Sequence, residues 1–86
     1  MLSQKAKYAL KAMLALAAET EGELLQAGDI SAGQNVPRKF LELILLELRK
    51  AGLVNSHRGK HGGYALAKPA DTITFGQIVR IMDGPL

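Results

Sequence analysis

The first residues in this 86-residue chain whose chemistry invites a site are two histidines four apart, His57 and His61. That spacing brings two imidazoles to one metal ion when both sit on a single helical face. Here they lie in VNSHRGKHGGY, a glycine-rich segment with the pattern of a hairpin, and no third ligand stands near them. The chain has no cysteine, so no thiolate, disulfide or thiol nucleophile is available. The carboxylates are scattered and no Ser, His and Asp grouping is evident, so neither a metal site nor an enzyme is expected.

The remaining chemistry is cationic. Residues 37–61 carry Arg38, Lys39, Arg49, Lys50, Arg58 and Lys60 against Glu42 and Glu47, whereas Glu19 to Val36 holds Glu19, Glu21, Glu23 and Asp29 and no base. The formal net charge is only +3, but charge segregated in this way is the footprint of a polyanion-binding face with an acidic rear. Arg38 and Lys39 directly follow Pro37 at a helix start, where cations oppose the helix dipole. An anion at that end in the working state would explain them, and two solvated charges are the plainer alternative. Ser3, Lys5, Lys7 and Tyr8, at the start of another helix, are candidates for a phosphate contact against the same alternative.

These groups need elements to hold them. Pro37 to Ala51, PRKFLELILLELRKA, winds at 3.6 residues per turn into a helix with Phe40, Leu41, Ile44, Leu45, Leu48 and Ala51 on one apolar stripe and Arg38, Glu42 and Arg49 opposite. Ahead of it, Gln26 to Gln34 reads as a short helix weakened by Gly28 and Gly33 and held by Leu25, Ala27, Ile30 and Val36. Asn35 supplies the left-handed residue at its end, and the tight turn to Pro37 makes the pair a helix-turn-helix candidate. A first helix follows Ser3, with Ala6, Leu10, Met13, Leu14 and Ala17 as its expected inner face.

Ala51-Gly52 reads as a helix C-cap. After it, Leu53 to Arg58 and Tyr64 to Ala67 are expected to pair as strands around the linker Gly59-Lys60-His61-Gly62-Gly63. A nucleotide-binding glycine loop would open a helix, and this one returns as a strand, which argues against nucleotide. Thr74 and Gln77 form a capping box, with Ile73 and Ile78 as a staple, for a last helix to about Met82 that Asp83-Gly84-Pro85 terminates. No apolar run reaches the roughly 20 residues of a membrane span and no signal-peptide architecture opens the chain, so a cytoplasmic protein is expected.

Helix, helix-turn-helix, hairpin and closing helix form the winged helix-turn-helix arrangement, a mainly α fold with a small β-hairpin. At that point particular stretches become informative: LSQKAKYAL from Leu2, NVPRKFLE from Asn35, LRKAGLVNSHRG from Leu48, GGYALAKP from Gly62 and DGPL at the end. In these the chain resembles the amino-terminal domain of the Rrf-two family of bacterial transcription regulators, relatives of the iron-sulfur cluster regulator IscR, over almost its whole length. The resemblance implies a sequence-specific DNA-binding regulator, homodimeric in its full-length form. It places the helix 37–51 in the major groove, and in a helix entering by its N-terminal end the side chains able to reach the DNA are those of the first two turns from Pro37, namely Arg38, Lys39, Glu42 and Leu43, the last at a position where family members often have a polar residue. It places a wing of Arg58, Gly59, Lys60, His61, Gly62, Gly63 and Tyr64 at the minor groove. Family members continue into a dimerisation helix and often a three-cysteine cluster segment. Residues 1–86 are therefore expected to be the DNA-binding half of a longer regulator, or a shortened member of the family, with no cofactor held by these residues.

Two questions stay open on sequence. Leu43 and Leu46 project from the outer side of the helix 37–51, either toward thymine methyls or toward a packing partner, with packing favoured for Leu46. A winged helix can also serve as a protein-interaction module without specific DNA binding, since fold alone does not decide.

Overall fold

The first and last α-helices of the chain begin at a side-chain cap and the two between them end at a left-handed residue, devices that satisfy peptide groups a helix leaves unpaired. A computed structural model describes residues 2–20 and 22–84. Helix α1 spans Gln4–Ala17, and the Ser3 hydroxyl caps it by accepting from the Ala6 N–H at 3.0 Å. Helix α2 spans Ala27–Gln34 and closes on Asn35, whose φ of 56° and ψ of 48° are the expected left-handed values. The Ser31 hydroxyl donates to the Val36 carbonyl and fastens the turn into α3, Arg38–Lys50. Pro37 is the cap before that helix rather than its first residue. Helix α3 ends in a Schellman motif: Gly52, at φ 83°, donates to the Arg49 carbonyl and Leu53 to the Leu48 carbonyl.

Strands β1 (Val54–His57) and β2 (Gly63–Leu66) pair antiparallel, with Val54 opposite Leu66 and His57 opposite Gly63. Strand β1 is shorter than the sequence suggests, because Leu53 is consumed by the α3 cap and Arg58 turns into the hairpin tip, whereas β2 keeps the expected length and begins one residue earlier, at Gly63. A single 3-10 turn at Ala70–Thr72 leads to α4, Phe75–Asp83. The capping box expected there is present: the Gln77 N–H donates to Thr74 Oγ1 at 3.1 Å and the Thr74 N–H to Gln77 Oε1 at 2.8 Å. Ile78 is buried and Ile73 packs against the core beside it. The acidic connector's Glu21 and the terminal Pro85 lie outside the described residues.

One core unites these elements. Leu41, Ile44, Leu45 and Leu48 of α3 are buried, each at roughly 1.5–3 kcal/mol of apolar transfer. They meet Ile30, Val36, Leu53 and Val54, and α1 crosses the assembly in contact with α2, α3, α4 and β2. The inner face of α1 differs from the expected one. Ala6, Ala9, Ala12, Met13 and Leu16 are buried, while Leu14 is 68% exposed and Ala17 is exposed. The alanines win because small side chains let α1 approach its neighbours closely, and that rotates Leu14 outward. On α3, Phe40 is likewise 56% exposed and Ala51 exposed, so the true apolar stripe is narrower than the one read from sequence.

Candidate nucleic-acid interface

The outward face of α3 follows from its buried one. At about 100° per residue, the direction opposite Leu41, Ile44, Leu45 and Leu48 is occupied by Lys39, Leu43, Leu46 and Lys50, all exposed. Arg38, Glu42 and Arg49 flank that stripe on the side of the hairpin. Between α3 and the hairpin lies an open groove of about 530 Å³ lined by Arg38, Glu42, Leu46 and Arg49 on one wall and Ser56, His57, Arg58, Gly59, Gly62, Gly63 and Tyr64 on the other. Residues 20 positions apart, Arg38 and Arg58, thus share one surface. Glu19 and Glu23 line a separate hollow with Lys68.

Within the groove the carboxylate is not free. Arg38 Nε lies 3.4 Å from Glu42 Oε1, an i,i+4 pair whose side chains are 65% and 58% exposed. Such a pair contributes little to stability and exchanges partners readily. Arg38 also lies close to Gly28: a Cβ there would sit 3.5 Å from its guanidinium.

The hairpin owes its shape to two glycines. A Cβ on Gly62 would fall 2.1 Å from the His57 carbonyl oxygen, and one on Gly63 2.7 Å from the Leu25 oxygen, where Gly63 also has φ 151°. Gly59 turns the tip at φ 106°. The close approach at Gly63 exists because Leu25 forms an isolated bridge to Tyr64, so the hairpin is anchored along a third, one-residue edge. Gln26 reaches the same region, its side-chain amide donating to the Lys60 carbonyl at 3.5 Å. On sequence, Gln26 reads as the first residue of the short helix and Leu25 as one of the residues that pack it. Their bridging role leaves no local pattern, because a single paired residue has no periodicity.

The α1 candidates separate. Lys5 reaches α3, its Nζ 2.8 Å from Glu47 Oε2 and 3.0 Å from Oε1. Tyr8 is half-buried against Phe40, ring centroids 6.4 Å apart and tilted by 37°. Lys7 is exposed and sits about 160° around the axis from Lys5, so the three do not form one cluster. The Ser3 hydroxyl is committed: besides capping α1 it donates to the Asp83 carboxylate and ties α1 to the end of α4. His57 and His61 are exposed, and among the described residues no three His, Cys, Asp or Glu groups converge as metal ligands. With no cysteine in the chain, the residues present do not fit an iron-sulfur cluster. None of the described helices is long and apolar enough to cross a membrane.

Comparison with known proteins gives one consistent answer. The family model Rrf2 (Rrf-two), described as an iron-dependent transcriptional regulator, matches residues 2–86. A Mycobacterium tuberculosis protein named as an HTH-type transcriptional regulator is 45% identical over 85 residues, 99% of this chain and 53% of that protein. The HTH-type transcriptional regulator IscR of Cereibacter sphaeroides is 39% identical over 84 residues, 95% of this chain and 54% of its own length. The chain spans about half the length of these relatives. Among solved structures, CymR, the global cysteine regulator of B. subtilis, superposes with a TM-score of 0.93 at 38% identity, covering 99% of this chain and 66% of that one. T. potens IscR gives 0.90 at 37% identity, over 100% and 63%.

Proposed function

The chain belongs to the Rrf2 family of HTH transcriptional regulators, and from that premise we propose that it binds operator DNA with α3 in the major groove and the hairpin as a wing at the minor groove. One observation supports this reading above the others: Arg38, Arg49 and Arg58 converge from α3 and the hairpin onto a single open groove. Two elements so spaced, each delivering cations, match a duplex whose phosphates flank the grooves they enter.

Roles follow from chemistry. Arg38 donates to guanine, Glu42 accepts from a cytosine amine, and Lys39 serves a phosphate. Arg58 enters the minor groove while Lys60 and His61 meet the backbone beside it, and the Gly62 and Gly63 backbone carries Tyr64 close to the duplex. Lys5 and Tyr8 add phosphate contacts from the side of α1 that faces α3, and Lys7, on the opposite side of that helix, does not join them. Lys5 exchanges Glu47 for phosphate at little cost, because the pair it leaves is exposed. The Ser3 hydroxyl has no such role, being occupied in the α1 cap and on Asp83. The regulator acts as a homodimer, so each wing and helix reads one half-site. Binding-site selection from a randomised duplex library tests this. Enrichment of one motif is expected; retention of no sequence over another would instead favour a protein-interaction module.

A further inference from the structure

Leu43 is 57% exposed on the outward stripe of α3, and Leu46 behind it is 36% exposed. Neither belongs to the core, and the same stripe holds Lys39 and Lys50. The carboxylates nearest to it are already engaged, Glu42 with Arg38 and Glu47 with Lys5. The surface around the two leucines is therefore apolar at its centre and positive at its ends. A DNA major groove offers phosphates to both lysines and, on its floor, an apolar group that only thymine presents among the standard bases, the C5 methyl.

We propose that Leu43 is a specificity-determining residue that selects thymine through its C5 methyl, with Leu46 extending the apolar surface on which that methyl rests. The proposal rests on the placement of α3 in the major groove. Leu43 lies one and a half turns into α3, next to Glu42, so a helix entering by its N-terminal end carries it to base edges with Arg38 and Glu42. An exposed leucine there has no hydrogen bond to offer, and it rejects bases that present only polar edges by leaving them unsatisfied.

The test begins with selection of the preferred duplex by this chain, alone and fused to a coiled-coil dimeriser. Each thymine of the selected site is then replaced singly by uracil, which removes the methyl and keeps the pairing. At one position per half-site the affinity should fall about fourfold, the equivalent of one buried methyl-sized group. Leu43→Ala should bind the thymine and uracil duplexes equally, and Leu43→Gln should move the selected base at that position toward adenine, which an amide reads through two hydrogen bonds. Because Leu43 is exposed, neither variant disturbs the core. If the parent selects a sequence yet binds every uracil duplex as tightly as the thymine one, Leu43 does not read a methyl, and the DNA-binding reading stands without it. If no duplex is selected at all, both fall.

Discussion

Leu25 and Tyr64 exchange two backbone hydrogen bonds, Tyr64 N–H to the Leu25 oxygen at 2.7 Å and Leu25 N–H to the Tyr64 oxygen at 3.0 Å. The bridge fastens the hairpin to the chain entering α2 and so ties the wing to the helix-turn-helix. It is possible only because Gly63 brings no Cβ to the Leu25 carbonyl. Gly63→Ala is expected to break the bridge and cost about 1–3 kcal/mol through strain and lost pairing. Thermal unfolding measures the loss. DNA affinity should fall further than the small change in helix content accounts for, because the wing is no longer aimed.

The order of elements was legible in the sequence because most boundaries are chemically marked: Ser3, Asn35, Gly52 and the Thr74–Gln77 box act where their residue types demand, and Pro37 marks the start of α3 to within one residue. The face of α1 was not, because in an alanine-rich helix two overlapping sets of small and large apolar residues satisfy the same periodicity, and only packing chooses between Leu14 and Leu16. Phe40 misled for a related reason. It falls at the edge of the α3 stripe, and there the ring turns out to meet Tyr8 instead of the core. The candidate site was visible as charge and glycine; its anchoring by Leu25 and Gln26 was not, since it depends on the contacts of Gln26 with Lys60 and of Leu25 with Tyr64, each far apart in sequence.

Ser3→Ala removes the α1 cap and its bond to Asp83 together. A loss of about 1 kcal/mol is expected, within the usual range for a helix cap. The salt dependence of DNA binding should be unchanged, because the hydroxyl is not spent on a phosphate. A shallower salt slope in the variant would show that it is.

Arg58→Ala should lower affinity and relax preference for an A·T-rich flank, since a guanidinium in a narrow minor groove reads its enhanced negative potential. Selection from a library randomised only in the flanks compares the variant with the parent. Identical flanks from both would remove Arg58 from the minor groove.

Glu42 and Lys39 should behave differently although they lie three residues apart. Glu42→Ala frees Arg38 from its 3.4 Å partner and deletes an acceptor, so accepted bases should broaden at one or two positions with little change on non-specific DNA. Lys39→Ala should weaken all sequences about equally and reduce the salt slope by about 0.9. An unchanged sequence preference in Glu42→Ala would confine that residue to its pair with Arg38.

Fluorescence anisotropy with a labelled duplex, at 50 and 200 mM salt, tests the central claim most directly, using the chain as it stands and fused to a coiled-coil dimeriser. With roughly four cations on phosphates, affinity of the single domain should fall on the order of a hundredfold across that range. The dimerised form should bind more tightly at either salt, because its second domain is held at high effective concentration beside its half-site. Binding that is undetectable at low salt even for the dimerised form, or that is indifferent to salt, would contradict a DNA-binding role for the groove between α3 and the wing.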